Sequence, residues 1–170
     1  MNESVWQRLD QTARNLMPVA LTLLLLVLSL VPWRLPFLPP LGLNLTLISI
    51  FYWIIHRPSA MPIPAVFAIG VVADLIGGGP LVSPFVLVTA AAVVHSVRRW
   101  LVGASTIIVW GSFLVMVIDA VLLLWLLIWY VSREMPVLAP GISGALLGAA
   151  AYPLIASLLS RVEQKVLRQQ

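Results

Sequence analysis

Two carboxylates interrupt long apolar runs of this 170-residue chain, and they are its best candidates for chemistry. Asp74 stands at the end of one run, directly before a leucine, an isoleucine, three glycines and a proline, and Asp119 stands near the middle of the longest run. A carboxylate at the centre of a membrane helix costs roughly 2.5–3.5 kcal/mol, so each position implies a structural or functional role. The chemistry open to them is proton relay, ion coupling, or the pairing that holds helices together.

Asp74 shares one face of a predicted helix with Phe67 and Gly70, because the three residues are spaced i, i+3 and i+7. Gly70 removes a side chain one turn from Asp74, which lets a neighbouring helix approach closely. A helix end and a new helix start are predicted just after Asp74, at Gly77, Gly78, Gly79 and Pro80. The candidates for a structural or interaction site in this region are therefore Phe67, Gly70, Asp74, Gly77, Gly78 and Pro80.

The partner of Asp74 is expected near the outer surface of the membrane. The candidates are Arg34, Arg133 and the backbone N–H groups of the glycine-rich turn. Such pairing would make Asp74 a structural residue that fixes the turn, and proton relay or ion coupling is the alternative.

Asp119 is expected to face protein rather than lipid, because a carboxylate at membrane depth needs a polar partner. Two roles stay open: a hydrogen bond across the bundle as a protonated acid, and binding of a partner protein's membrane helix. In the last apolar run, Gly144 and Gly148 form a GxxxG pair, which predicts close helix packing within the chain rather than between copies.

No motif for catalysis, cofactor binding or metal binding accompanies these residues. The chain has no cysteine, and it has no HExxH, GxSxG or phosphate-binding glycine loop. His56 and His95 stand near arginines at the ends of apolar runs, which fits interfacial positions better than metal ligation. An intramembrane hydrolase would need two aspartates at one depth, and Asp74 and Asp119 are predicted at different depths. We therefore expect no enzyme, no cofactor and no metal.

Composition predicts a membrane protein of one domain, residues 1–170. Hydrophobic residues make up 61% of the chain and charged residues 9%, against about 25% charged in an ordinary soluble domain. Six apolar runs stand between polar or proline-rich breaks, at roughly 17–32, 41–55, 62–76, 84–97, 105–131 and 141–159. We predict an all-α polytopic bundle of six transmembrane helices, the second to fourth being short for a full span. The net charge of +4 concerns orientation in the membrane, so no nucleic-acid partner is expected.

Basic residues give the orientation of the predicted spans. The side with both termini would carry eight Lys or Arg residues, and the opposite side only Arg34 and Arg133. The positive-inside rule then puts both termini in the cytoplasm, with an amphipathic segment at 1–16 and a basic segment at 160–170 against the lipid. A re-entrant hairpin of the third and fourth runs would keep this asymmetry and stays open. Four tryptophans at predicted span ends are expected to be interfacial anchors: Trp33, Trp53, Trp100 and Trp129.

One sequence pattern extends well beyond Asp74 on both sides. It comprises Pro40, Tyr52-Trp53, Arg57-Pro58 and Phe67-x-x-Gly70-x-x-x-Asp74-x-x-x-Gly78-x-x-Leu81. Together with the chain length and the six short runs, this pattern resembles the bacterial rod shape-determining family MreD over essentially the whole chain. The family usually has a small residue after the leucine matched by Leu81, and this chain has Val82 there.

The resemblance implies a non-enzymatic scaffold of the cell-elongation complex in the bacterial inner membrane. Its implied partners are an MreC-type bitopic protein, MreB-type actin-like filaments and peptidoglycan synthesis enzymes, within the lipid bilayer. The family is also thought to share a fold with the substrate-binding components of vitamin transporters. A small-molecule binding or transport subunit is therefore the alternative, and it would need a pocket with convergent polar groups.

Overall fold

The computed structural model describes residues 3–30, 43–133 and 139–167, and the side chains at 17–30, 43–133, 141–161, 163 and 164. These residues form six α-helices and one short 3-10 helix, with no strand among them. The elements are α1 (Glu3–Leu30), α2 (Asn44–His56), a 3-10 helix (Pro58–Ala60), α3 (Ile63–Gly77), α4 (Ser83–Leu101), α5 (Thr106–Ser132) and α6 (Ala139–Leu167). One helix corresponds to each predicted apolar run, so the all-helical prediction is confirmed.

Two of these helices are long and apolar enough to cross a membrane, within the described part of the chain. They are α5 over its whole length and α6 over Gly141–Arg161. Shorter apolar helical stretches lie at Met17–Leu30, Asn44–His56 and Ile63–Gly77. The 13 residues of α2 extend only about 20 Å, against about 30 Å for the hydrocarbon core of a bilayer. The count of six spans therefore stays a prediction.

The ends of the chain continue the outer helices. The predicted amphipathic segment is helical from Glu3 as the start of α1, and its side chains lie outside the described residues. The basic C-terminal segment continues α6 as far as Leu167. Other predicted features also lie outside the described residues: Arg34, Pro40 and Trp33 in the first connection, and Arg168 at the C-terminus.

The short helix α2 is the centre of the bundle. It packs against α1, α4, α5 and α6, and all of its residues except Leu45 and His56 are buried. Phe51 of α2, Phe113 of α5 and Tyr152 of α6 form an aromatic cluster, with ring centroids 5.3 Å apart for Phe51–Phe113 and 4.6 Å for Phe113–Tyr152. A helix covered on all sides by protein needs no polar face, which explains its almost continuous apolar sequence.

This central position corrects the prediction for Trp53. Its side chain is 2% exposed and belongs to the core, so it is not an interfacial anchor. The prediction failed because the position of Trp53 in the sequence gives its height in the bundle but not its distance from the bundle axis. Trp100 and Trp129 are both exposed, as an anchoring role requires.

The bundle has two ends that differ in chemistry. One end, called the basic end below, carries Arg57 after α2 and Arg98 and Arg99 in the last turn of α4. The opposite end carries the connection from α3 to α4, residues 78–82, called the glycine turn below. Because α3 and α4 both run between these ends, Asp74 at the glycine turn lies at the opposite end of the bundle from Arg98 and Arg99.

A proline inside α6 is accommodated by a neighbouring helix. Pro153 has no N–H, so the carbonyl of Ala149 one turn earlier loses its helical partner. The indole Nε1 of Trp110 on α5 donates to that carbonyl at 2.9 Å. Freed backbone groups in membrane helices are commonly satisfied in this way, and here the bond also joins α5 to α6.

Candidate functional site

Asp74 joins the end of α3 to the start of α4. Its side chain is 7% exposed, and its Oδ2 accepts a hydrogen bond from the backbone N–H of Ser83 at 2.8 Å. The Ser83 hydroxyl donates to Oδ1 at 2.5 Å. Ser83 is the first residue of α4, and the first N–H groups of a helix have no partner inside it. The carboxylate satisfies one of these donors and puts an acceptor at the positive end of the helix dipole.

The remaining N–H groups of the first turn of α4 are accounted for nearby. Pro84 has none, while Phe85 and Val86 donate to the carbonyl of Val82 at 3.1 and 3.3 Å. Val82 occupies the N-cap position but has no side chain that could accept a bond. The capping acceptor therefore comes from α3 rather than from α4 itself.

Three glycines make this cap sterically possible. Gly78 ends α3 in the left-handed region at φ 68°, where L side chains are strained. A Cβ on Gly79 would lie 2.7 Å from Oδ1 of Asp74, so a side chain there would displace the carboxylate. A Cβ on Gly70 would lie 2.7 Å from the backbone nitrogen of Pro84 and nearer still to its Cα. Gly70 therefore sets how closely α3 and α4 cross.

The other predicted residues of this region are less constrained. Phe67 is 45% exposed and meets Phe85 edge-on, with ring centroids 6.4 Å apart. A Cβ on Gly77 would make only an ordinary contact, 3.6 Å from Leu30. Pro80 is exposed, and Leu81 after it takes a left-handed conformation at φ 56°.

The sequence predicted a structural pairing of Asp74 with an arginine or with backbone N–H groups of the turn, but it did not identify Ser83 as the partner. Of the predicted partners, Arg34 lies outside the described residues, and Arg133 ends α5 with its guanidinium 5.1 Å from the ring of Tyr130. The observed partner is Ser83, which follows the turn rather than belonging to the glycines. A serine directly before a proline at a predicted helix start is the signal that could have found it.

Asp119 differs from Asp74 in both burial and hydrogen bonding. It is residue 14 of the 27 in α5, its side chain is exposed, and it has no hydrogen bond or ion pair among the described residues. The structure therefore does not give Asp119 the hydrogen bond across the bundle that was one of its two predicted roles. Helical geometry turns the residue outward, because Met116, Val117 and Ala120 beside it fill the core side of α5.

Exposed residues continue the face of α5 that carries Asp119. At helical spacing from it lie Val115, Leu122 and Leu126, with exposed fractions of 67%, 48% and 50%. Gly111, two turns earlier on the same face, is half-buried, and a Cβ added there would meet no described residue outside its own stretch of helix within 4 Å. We call these residues, Gly111, Val115, Asp119, Leu122 and Leu126, the Asp119 face.

Gly144 and Gly148 lie on α6, and both are buried in the bundle. A Cβ on Gly148 would lie 2.8 Å from Cβ of Asn44, which begins α2. The glycine therefore lets α6 pack directly on α2, in line with the internal packing predicted for the pair.

A polar cluster at the basic end was missed by sequence reasoning. Glu163 on α6 accepts hydrogen bonds from the Tyr52 hydroxyl at 2.8 Å and from Nε of Arg57 at 3.2 Å. Nε of Arg98 donates to the carbonyl of Ile55 in the last turn of α2, at 3.0 Å. Glu163 is the lone acidic residue in a basic tail, and that contrast was the available signal.

No group of three His, Cys, Asp or Glu side chains among the described residues is placed to hold a metal ion. Asp74 and Asp119 also do not contact each other, since Asp74 is bonded to Ser83 and Asp119 has no partner in the described part of the chain. The geometry therefore offers a structural cap and an outward-facing acid rather than a paired acid and base.

Comparison with known proteins gives the chain a family. The model of the rod shape-determining protein MreD family matches residues 10–162. No curated protein and no solved structure matches the chain. The family match includes the capped turn, the Asp119 face and the central helix, and with the two long apolar helices it indicates a membrane protein. The chain belongs to the MreD family, and its role is rod shape determination.

Proposed function

We propose that this chain is a non-enzymatic scaffold of the cell-elongation complex in the bacterial inner membrane. It links cytoplasmic MreB-type filaments and an MreC-type bitopic protein to the enzymes that synthesise peptidoglycan outside. The family match supports the shape-determining role, and the lack of any described metal cluster or acid–base pair gives no support to a catalytic one.

The proposed topology has six helices in the membrane and both termini in the cytoplasm. All 170 residues form one membrane domain, with the 1–16 and 160–170 segments on the cytoplasmic leaflet. The arginines of the basic end then face the cytoplasm, as the positive-inside rule requires, and the glycine turn faces outward. The short helix α2 fits this topology because neighbouring helices, rather than lipid, surround it on all sides.

The single observation that carries the scaffold proposal is the Asp119 face. A carboxylate exposed at the middle of a membrane helix is costly against lipid, so it is expected to be covered by protein. Within the described chain nothing covers it, and the residues around it are apolar. A membrane helix of a partner is the occupant that would satisfy both the carboxyl group and the apolar surface.

The small residue on this face favours a helix as the occupant. Among the described residues outside its own stretch of helix, nothing lies within 4 Å of the Cβ that Gly111 lacks, so the glycine serves no packing purpose there. On the outer surface it would let a second helix approach closely, as small residues do at membrane helix contacts. The single membrane helix of an MreC-type bitopic protein, with a hydroxyl, amide or basic group opposite Asp119, fits this surface.

The alternative of a vitamin-type binding or transport subunit has less support. It needs convergent polar groups around a pocket, and the sequence offers few: Asn44, Thr46, Asp74, Ser83, Thr89 and Asp119. None of them lines the cavity at the basic end, whose walls are mostly apolar.

Site-specific photocrosslinking in cells tests the proposal. A photoreactive residue at Leu122, on the Asp119 face, is expected to crosslink to the MreC-type protein. The same residue at Leu154, 70% exposed on α6, is the control and is expected to crosslink mainly to lipid. Adding Asp119→Leu is expected to reduce the Leu122 product roughly threefold to tenfold, the range for one hydrogen bond between membrane helices. Equal products at both positions, or purification with a vitamin-like ligand and no shape-determining protein, would contradict the proposal.

A further inference from the structure

The basic end contains a partly open cleft that none of the proposed contacts uses. Its volume is about 760 Å³, within the range of small-molecule sites. It lies between the end of α2, the connection from α4 to α5 at 102–104, the first turns of α5, and α6 near Pro153. Its walls therefore come both from residues at the end of the bundle and from residues further along α5 and α6.

The cleft has a polar part and an apolar part. Arg98 and His56 lie at the end of the bundle, while Ile107, Pro153 and Ala156 form apolar walls. The Arg98 side chain is fixed by its Nε bond to the carbonyl of Ile55. Its other guanidinium N–H groups have no partner among the described residues, so they are available to an anion.

The charge of the cleft is not cancelled by any side chain that the structure describes. Glu163 is the one acidic side chain described at this end, and its two oxygens are taken by Tyr52 and Arg57. The N-terminal turn of α5 borders the same cleft at Thr106 and Ile107, and its dipole adds to the positive field of Arg98. A ligand that fits both halves has a negative head and an apolar body.

We propose that this cleft binds one anionic phospholipid of the leaflet at the basic end. Its phosphate lies against the guanidinium of Arg98, and one acyl chain lies along Ile107, Pro153 and Ala156 toward Trp110. Basic pockets between membrane helices at the cytoplasmic surface suit anionic headgroups in this way. The site requires the basic end to lie at a membrane surface, which is part of the proposed topology, but it requires none of the proposed protein partners.

Lipid binding to the purified full-length chain tests the site. The probes are phosphatidylglycerol, phosphatidylcholine and inorganic phosphate, added to the protein in neutral detergent, with bound lipid counted by native mass spectrometry and affinity taken from thermal stabilisation. We expect phosphatidylglycerol to bind and stabilise at concentrations where phosphatidylcholine and phosphate do not. Equal effects of the two lipids would overturn the proposal, and stabilisation by phosphate alone would assign the cleft to a free anion instead.

Two variants and a control locate the bound lipid. Arg98→Gln is expected to weaken phosphatidylglycerol binding about tenfold or more, the loss typical of a charged hydrogen bond. Arg99→Gln is the matched control, because Arg99 is exposed on the same turn and does not line the cleft. Ala156→Phe should block the acyl-chain wall and abolish binding without touching a charge. Equal affinities of the two arginine variants, or full binding by Ala156→Phe, would overturn the proposal. Photocrosslinking at Leu122 reports separately on the scaffold.

Discussion

Asp74 and Asp119 are the same residue type in similarly apolar helices, but the chain treats them in opposite ways. Asp74 is buried, and both of its oxygens accept hydrogen bonds from Ser83. Asp119 is exposed in the middle of α5 and has no partner among the described residues. The contrast indicates that the first carboxylate holds the chain's own fold and the second is available to another molecule.

The glycines near the two carboxylates follow the same division. Gly70 and Gly79 are required by neighbouring atoms of this chain, since an added Cβ would overlap Pro84 or Asp74. A Cβ on Gly111 would meet no described residue outside its own stretch of helix. Substitutions of Gly70 and Gly79 are therefore expected to lower stability, while a substitution of Gly111 is not.

The largest loss of stability is expected for Gly70→Ala. The added methyl group would overlap the backbone of Pro84, so α3 and α4 must move apart, and overpacking of this kind costs about 2–3 kcal/mol. The matched control is Gly111→Ala, where the same methyl group meets nothing and helix propensity favours alanine by about 1 kcal/mol. Thermal unfolding in detergent measures both variants. A Gly70→Ala protein as stable as the Gly111→Ala protein would disprove the close crossing.

Asp74→Ala is expected to cost about 1–3 kcal/mol, because it leaves the buried N–H and hydroxyl of Ser83 without an acceptor. Asp119→Ala serves as the control and should change the free energy of unfolding by less than about 0.5 kcal/mol. Denaturant titration of the two purified variants measures the difference. Similar losses in both would mean that the two carboxylates do not differ in their contribution to stability.

In cells, Asp74→Asn keeps one acceptor oxygen but loses the charge, and we expect it to give rounded cells.

Gly78→Ala is expected to cost about 1–2 kcal/mol, because an L residue is strained at φ 68°. Gly77→Ala, one residue earlier, is the control: Gly77 is helical, and its added Cβ makes only an ordinary contact with Leu30. That variant should be neutral or slightly stabilised. The melting temperatures of the pair provide the test, and a lower value for Gly77→Ala than for Gly78→Ala would contradict the left-handed turn.

Ser83→Ala should have the smallest effect on the turn, about 0.5–1.5 kcal/mol, because the backbone N–H still donates to Asp74 after the hydroxyl is lost. Ser112→Ala is a control in which the lost hydroxyl bond runs to Ile108 of the same helix. Unfolding in the same detergent compares them. If Ser83→Ala destabilised the chain more than Asp74→Ala, the carboxylate would not be the main acceptor of the turn.

The helices could be predicted from the sequence because apolar runs and proline-rich breaks have a direct local meaning. The position of the glycine turn followed in the same way, from three glycines and a proline after Asp74. That Ser83 is the partner of Asp74 could not be predicted from the sequence, because the choice among donors near a turn depends on how two helices meet in space. The burial of Trp53 could not be predicted for the same reason, because it too depends on how the helices pack.

The direction in which Asp119 points also depends on tertiary packing. The sequence places it in the middle of α5, but only the packing of Met116 and Ala120 against the core shows that it faces outward. The cleft at the basic end has walls from α2, α4, α5 and α6, so no single stretch of sequence could reveal it. Glu163 escaped notice because its partners are more than one hundred residues away in the chain.

One paired measurement tests the division between the two carboxylates most directly. Asp119→Leu and Asp74→Ala proteins are compared for melting temperature and for the amount of MreC-type protein that copurifies from cells. We expect Asp119→Leu to melt at or above the wild-type temperature, since it replaces an exposed membrane carboxylate by an apolar side chain, and to lose most of its partner. Asp74→Ala should melt at a lower temperature. An Asp119→Leu protein that melts early, or that keeps its full amount of partner, would contradict an outward role for Asp119.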